Sequence, residues 1–362
     1  TLMKIAIFGA GQLAMMMIKE SSKLNHDFIV VDPSQNPPAC KDAEHLQTHY
    51  TDQKTLDYIV ANYDVATIDF ENVDISAMEY LERKIRVFPP SQALKVCQDR
   101  LLEKNLFRQL NINVTKYKEI KNVLDLKNYC QGDESRYLLK SRRFGYDGKN
   151  QLKCDSNIGL LEKLLSECSC IIEEIVDFST EVSLVCARQD DNNIVFYPLI
   201  ENFHKNGILR YSKFPYINKE LQDTAEEYGK KLLNYFEYVG VLVIEFFVSK
   251  DGKLVANEMA PRVHNSGHWS IEGSSASQFE LHVRAITGDL DNKPINFKPS
   301  LMLNILSKYP DDNILSGLES HYFHSYDKEE RNLRKLGHIT ITKNSDEQLE
   351  SILPKYLDLL DN

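Results

Sequence analysis

Two apolar runs, Val241-Leu-Val-Ile-Glu-Phe-Phe-Val248 and Leu254-Val-Ala-Asn-Glu258, flank Asp251-Gly252, and this stretch constrains the chain more than any other. β-Branched and aromatic residues favour pleated strands, and Asp-Gly between two such runs is the strongest short hairpin signal. A two-residue Asp251-Gly252 turn sets Lys250 opposite Lys253. Counted back along both strands, it sets Glu245 opposite Glu258 on one face, with Cβ atoms roughly 4.5–5.5 Å apart. Like charges in register destabilise a sheet, and Glu245 lies among residues that favour burial. A hard divalent cation removes the conflict. Mg²⁺ is held by one or two carboxylates plus substrate phosphates, so the pair points to a nucleotide-Mg²⁺ site. On these residues alone two other readings stand beside it: a Lys or Arg partner for Glu245, or a bulge that shifts the register.

With 362 residues the chain has room for two or three domains of roughly 100–200 residues each. No apolar run approaches the ~20 residues that span a bilayer, and no signal-peptide pattern opens the sequence, so cytoplasm is expected. Seven cysteines without a C-x-x-C pair argue against a disulfide framework or a zinc ribbon. The formal charge of -10 excludes general affinity for nucleic acid or anionic membranes. An anionic substrate therefore needs local basic clusters. Arg142-Arg143 near Lys149, and Lys328 through Lys335, are two; a solvated face is the commoner fate of such runs.

Lys4–Phe8 reads as a buried strand, Gly9-Ala10-Gly11 as a tight turn, and residues 12–23 as a helix. Strands follow at residues 28–31, 65–68 and 87–88 with helical stretches between, which predicts a parallel sheet covered on both faces. Gly9-x-Gly11-x-x-Ala14, with Asp32 about 20 residues on, matches the dinucleotide fingerprint, so an NAD-dependent oxidoreductase is weighed. A turn that merely needs its glycines is equally consistent. The later chain shows no second βαβ pair.

Near residue 100 the pattern changes to short strands paired through turns, an α+β arrangement. Residues 98–110 form an amphipathic helix expected to turn Leu101, Leu102, Leu106 and Leu110 inward. Arg136–Lys140 is a strand that leads into a Gly145-x-x-Gly148 loop able to lie over phosphates. Residues 181–187 and 194–200 flank a further hairpin, and Asn218 caps a long helix.

After Glu258 come Pro261-Arg-Val-His-Asn-Ser-Gly-His-Trp269, Ser277-Gln-Phe-Glu-Leu-His282 and Arg284-Ala-Ile286. With Phe196-Tyr-Pro-Leu199, Gly207-Ile-Leu-Arg210, Tyr326-Asp-Lys328 and Arg334-Lys-Leu-Gly-His338, the chain resembles, nearly end to end, the 5-(carboxyamino)imidazole ribonucleotide synthases of purine biosynthesis, a family of ATP-grasp ligases. The resemblance implies a Rossmann-like N-terminal domain over residues 1–98, an ATP-grasp core over 99–292 and a small C-terminal domain over 293–362, together an α/β and α+β fold.

The same resemblance implies site residues. Arg100 and Lys140 would meet the ATP phosphates, under a loop of Gly145, Tyr146, Asp147, Gly148, Lys149, Asn150 and Gln151. Glu173, Glu174, Ile175 and Val176 would meet adenine and Glu181 ribose, with His204 and Asn257 nearby. Glu245 and Glu258 would hold Mg²⁺. Many ATP-grasp enzymes carry Asn two residues beyond the second Glu; here that position is Ala260. Arg262 would hold bicarbonate, with His264, Asn265 and Lys328 in the chemistry. Ser34, Glu71, Tyr146, Asp147, Lys149, Lys328, Arg334 and Lys335 would bind aminoimidazole ribonucleotide. The family often has Arg where Lys149 stands, so a point charge replaces a fork. The implied reaction is carboxylation of that amine by bicarbonate through carboxyphosphate, in a cytoplasmic homodimer. A formate-using glycinamide ribonucleotide transformylase and a non-catalytic nucleotide-binding protein are the other readings.

Overall fold

The structure, a computed structural model, describes residues 2–145, 149–291, 293–318 and 320–360. Tyr146, Asp147 and Gly148, expected over the phosphates, lie outside the described residues.

The first part alternates as its periodicity requires: β1 (Lys4–Phe8), α1 (Gln12–Glu20), β2 (Asp27–Val31), β3 (Glu44–Leu46), α2 (Gln53–Asn62), β4 (Val65–Ile68), α3 (Ile75–Glu82), β5 (Arg86–Val87) and α4 (Ser91–Cys97). All four strand pairings are parallel, in the order β3-β2-β1-β4-β5. Strands covered on both faces must be apolar throughout, and β4 is buried along its length. The Gly9-Ala10-Gly11 turn does not present an open phosphate cradle. The Gly11 amide donates to Asp69 Oδ2 at 2.6 Å, and a Cβ on Gly9 would sit 1.7 Å from Asp69 Oδ1. Asp32 accepts from the Ala10 and Ser34 amides and the Tyr50 hydroxyl. Both groups that a dinucleotide would need are thus engaged by the protein itself, which removes the physical basis of the NAD reading.

After α5 (Arg100–Gln109) a four-stranded antiparallel sheet, β6-β9-β7-β8, is built from β6 (Tyr117–Ile120), α6 (Val123–Cys130), β7 (Tyr137–Ser141), β8 (Gln151–Lys153), α7 (Ile158–Glu167) and β9 (Cys170–Glu174). The large sheet then forms from β10 (Phe178–Asp190), β11 (Asn193–Phe196), β12 (Ile200–Lys205), β13 (Ile208–Phe214), α8 (Lys219–Tyr235), β14 (Gly240–Ser249), β15 (Leu254–Ala260), α9 (Ser270–Gly273), α10 (Gln278–Thr287), β16 (Ser300–Leu306), α11 (Asp312–Ser316), β17 (His321–Ser325), β18 (Lys335–Thr342) and α12 (Asp346–Leu360). Its order is β15-β14-β10-β12-β13-β16-β18-β17 with β11 beside β10, so the chain from β16 onward continues the core sheet through the β13–β16 pair. The run expected as one strand over 194–200 is two, interrupted at Tyr197-Pro-Leu199, because a proline cannot donate to the ladder.

The hairpin at β14 and β15 corrects the sequence reading and keeps its result. The turn is a three-residue loop, not two: the Ser249 amide donates to Lys253 O at 2.9 Å, and Gly252, at φ +80°, donates to Ser249 O at 2.8 Å. Val248 therefore faces Leu254 and Phe246 faces Ala256, one residue out of the expected register. A bulge at Asn257 shifts it back, and Glu245 pairs with Glu258 after all. Neighbours hold the bulge in place. Lys104 Nζ donates to Asn257 O at 2.7 Å, Glu103 accepts the Met259 amide at 2.9 Å, and the Ala256 amide donates to Asn113 O at 2.8 Å.

The N-terminal sheet is joined to this core by a buried histidine. His282 Nδ1 accepts the Val241 amide at 3.0 Å, which places its proton on Nε2, 2.8 Å from Thr67 Oγ1 of β4. Burial brings its pKa down to about 4. The unfolded chain takes up a proton near pH 6.5 that the folded one refuses, so stability is full above that pH and falls as pH drops toward 4, by about 3 kcal/mol from this residue. In urea titrations His282→Gln is expected to be less stable at pH 7 yet to lose less between pH 6.5 and 4.5. An unchanged slope would remove His282 from the account.

Candidate active site

Two adjoining cavities open between the parts of the chain. One, of about 350 Å³, lies toward the N-terminal sheet and is lined by Gln12, Phe70, Glu71, Asn72, Arg262, His268 and Tyr326 among others. The other, of about 210 Å³, lies within the core and is lined by Lys140, Gln151, Glu181, His204, Phe247 and Asn257. Arg100, Glu245, Glu258, His264, Asn265 and Lys335 line both. The opposed glutamates thus stand where the two compartments meet.

The charged side chains there neutralise one another. Arg100 Nη1 lies 2.8 Å from Glu258 Oε2, Lys140 Nζ 2.8 Å from Glu173 Oε2, and Arg262 Nε 2.5 Å from Glu71 Oε2. His264 Nε2 is 3.2 Å from Glu245, and His204 Nδ1 is 2.9 Å from Glu181. Burial, then the neighbouring Glu258, pushes the Glu245 carboxyl up to about 7. Burial opposes the charge of Glu258 too, but Arg100, with Lys140 and Lys104, holds it net below the usual carboxylate range. Glu173 is buried and nonetheless held at about 2 by Lys104 and Lys140. The His264 imidazole, buried beside Arg262, is kept well below its ordinary value and is neutral.

Most of the residues expected from the sequence line the cavities, and the other described ones lie around them. Arg100, Lys140, Gly145, Gln151, Glu181, His204, Asn257, Glu245, Glu258, Glu71, Arg262, His264, Asn265 and Lys335 line one or both cavities. Glu173 and Glu174 are the last residues of β9 and Ile175 and Val176 follow it; the Glu173 carboxylate is committed to Lys140 and Glu174 to Arg136. Lys149 and Asn150 are exposed. Ser34 is exposed beyond β2, its amide on Asp32 Oδ1. Lys328 lies 5.9 Å over the Tyr326 ring; burial and then Arg334 hold its pKa near 8. Arg334 donates to Glu329 O, and neither it nor Lys328 is among the cavity-lining residues.

Several residues of the site escaped the sequence reading. Glu103 and Lys104 are buried on α5 while Leu102, expected to face inward, is exposed, because that side of the helix packs on the polar end of β15; Leu106 is buried in the core as expected. Asn304 of β16 exchanges amide hydrogen bonds with Asn265 at 2.7 and 2.9 Å. Gln278 clasps the His264 backbone. Only the Lys four residues after Arg100 carried a local signal, since residues at that spacing share a helix face.

A two-sheet core that encloses a polar cavity, with paired acidic residues on adjacent antiparallel strands and a lysine on the facing small sheet, defines an ATP-grasp ligase. Family profiles agree: the ATP-grasp domain matches residues 105–279, the ribonucleotide synthetase preATP-grasp domain 2–98, and the phosphoribosylaminoimidazole carboxylase C-terminal domain 300–352. The N5-carboxyaminoimidazole ribonucleotide synthase of Pseudomonas aeruginosa is 37% identical over 341 residues, 94% of either chain. The N5-carboxyaminoimidazole synthetase of Staphylococcus aureus, solved with ADP, superposes with a TM-score of 0.91 at 34% identity, covering 98% of this chain and 96% of that one. The Thermus thermophilus synthetase gives 0.88 at 36% identity, over 97% and 96%. The chain belongs to the N5-carboxyaminoimidazole ribonucleotide synthase family, and it is an enzyme of the ATP-grasp ligase class.

Proposed function

We propose that the chain uses ATP and bicarbonate to carboxylate the amine of 5-aminoimidazole ribonucleotide in purine biosynthesis. The observation that carries this is the Glu245–Glu258 pair at the common wall of two cavities, with Arg262, His264 and Asn265 beside it. The core cavity takes the nucleotide, with Lys140 and Arg100 on its phosphates and Glu181 on its ribose. The other takes the ribonucleotide, with Glu71 and Lys335 at hand and Lys328 and Arg334 adding positive potential behind them. Ser34, Tyr146, Asp147 and Lys149 complete the set carried over by family resemblance.

The donor set fits Mg²⁺. It offers two hard carboxylates, and among the described residues no three His, Cys, Asp or Glu side chains converge as a standing metal site, which suits an ion that arrives on substrate phosphates. When bound, Mg²⁺ would neutralise charge on the transferring phosphoryl group. Arg262 holds the planar bicarbonate, whose oxygen attacks the γ-phosphorus and releases ADP. The resulting carboxyphosphate lies next to the amine, which takes the carboxyl group, directly or as CO₂ released from it, as phosphate leaves and accepts the amine's proton. Each step joins or parts anions, so fixed cations and exclusion of water contribute more than covalent help from the protein.

No helix among the described residues is long and apolar enough to cross a membrane. A cytoplasmic homodimer accompanies the reading. Purified protein is expected to hydrolyse ATP at speed only with both bicarbonate and aminoimidazole ribonucleotide. Turnover with neither, or none with both, overturns the assignment, and turnover with formate in place of bicarbonate would favour a transformylase.

A further inference from the structure

Gln278, the first residue of α10, is fully buried, and its amide is oriented by two backbone groups that cannot change roles. Its Oε1 accepts the His264 N–H at 3.0 Å, and its Nε2 donates to the His264 carbonyl at 2.7 Å. Exchanging the two atoms would set donor against donor and acceptor against acceptor. The second Nε2 hydrogen points to His268 Nδ1, 3.1 Å away, so that nitrogen must be bare. The loop runs flush over this amide: a Cβ on Gly267 would come within 2.4 Å of Gln278 Oε1, which is why Gly stands between Ser266 and His268.

His268 lines the cavity on the N-terminal side, together with Arg262, His264 and Lys335. Its ring is packed by Phe279, His338 and Tyr326 at centroid distances of 5.5, 5.0 and 6.5 Å. Nε2 is the ring's remaining polar atom. No hydrogen bond among the described residues engages it, and the residue, although only 1% exposed, borders the cavity.

On the proposed function, we infer that Gln278 is a positioning residue of the carboxylation site, which locks His268 as a neutral imidazole that offers its Nε2–H to the oxyanion held beside Arg262. Burial, then the cations Lys335 and Arg262, opposes a second proton on the ring. Neutrality has a use here. An imidazolium next to bicarbonate could pass it a proton and release CO₂ and water before the carboxyl group was activated, whereas a neutral N–H stabilises negative charge and keeps its proton.

Nitrogen-15 NMR of the full chain, with the His268 signals assigned by their loss in His268→Gln, tests this directly. The wild-type ring is expected at neutral pH with hydrogen on Nε2 and none on Nδ1; hydrogen on Nδ1 overturns the inference. Gln278→Glu keeps the shape but turns the donor into an acceptor. It is expected to move the proton to Nδ1 and lower kcat for carboxylation about tenfold to a hundredfold, with MgADP affinity unchanged. A reversed tautomer with full kcat sinks the role. Should that variant fail to fold, His268→Gln, which retains an N–H donor, is expected to outperform His268→Phe, and equal loss overturns the inference. Because the tautomer is read without turnover, a chain that failed to carboxylate yet carried Nε2–H would refute the proposed reaction and not the positioning.

Discussion

Glu258→Gln is expected to lower ATP turnover by roughly a hundredfold to a thousandfold, the scale on which losing a charge stabiliser costs transition-state energy, while the protein unfolds at nearly the wild-type temperature. The side chain stands at the wall shared by the two cavities, paired with Arg100 at 2.8 Å and facing Glu245 across the strand pair. An amide of the same shape can still accept from Arg100, so the cleft keeps its form. It lacks the charge that a hard cation and two phosphate groups require on the protein side. The check is steady-state ATP hydrolysis with both co-substrates, beside thermal unfolding. Activity above a tenth of wild type would show that the metal is held elsewhere.

Arg262→Lys carries the second large effect, and it is selective. Arg262 is partly buried between Glu71 of the N-terminal part and the loop that follows β15, and its guanidinium also donates to Val263 O at 3.0 Å. A lysine keeps the charge but not the planar fork, so it can meet one bicarbonate oxygen and not two, and it leaves the Glu71 contact incomplete. The KM for bicarbonate is expected to rise about tenfold to a hundredfold, the worth of one charge-assisted hydrogen bond. MgADP affinity should stay within about twofold, since Lys140, Glu181 and His204 lie in the other compartment. Equal losses in both quantities would misplace the bicarbonate.

Element types were legible over most of the chain. The parallel sheet, the Asn218 cap, which accepts the Leu221 amide, and the two strands around Asp251-Gly252 all follow from local patterns. What periodicity could not supply was which side of α5 is covered. Its apolar residues predicted a core-facing Leu102, but the helix lies against polar backbone at the end of β15, and burial there selects Glu103 and Lys104. Glycines at 9 and 11 were likewise ambiguous. The Asp69 carboxylate that fills their turn arrives from just beyond β4, 58 residues after Gly11.

Taken alone, the sequence determined that two strands would form around a reverse turn and that each would bring one glutamate into an apolar setting. It could not determine their meeting. A three-residue loop moves the pairing by one position, which sends every side chain of a strand to the opposite face unless something restores it. That something is a bulge at Asn257, and its hydrogen bonds come from Lys104, Glu103 and Asn113, far away in the chain. Strand identity is local because it depends on side-chain shape, whereas register is decided by whichever partners satisfy the backbone, and here those partners belong to the tertiary structure.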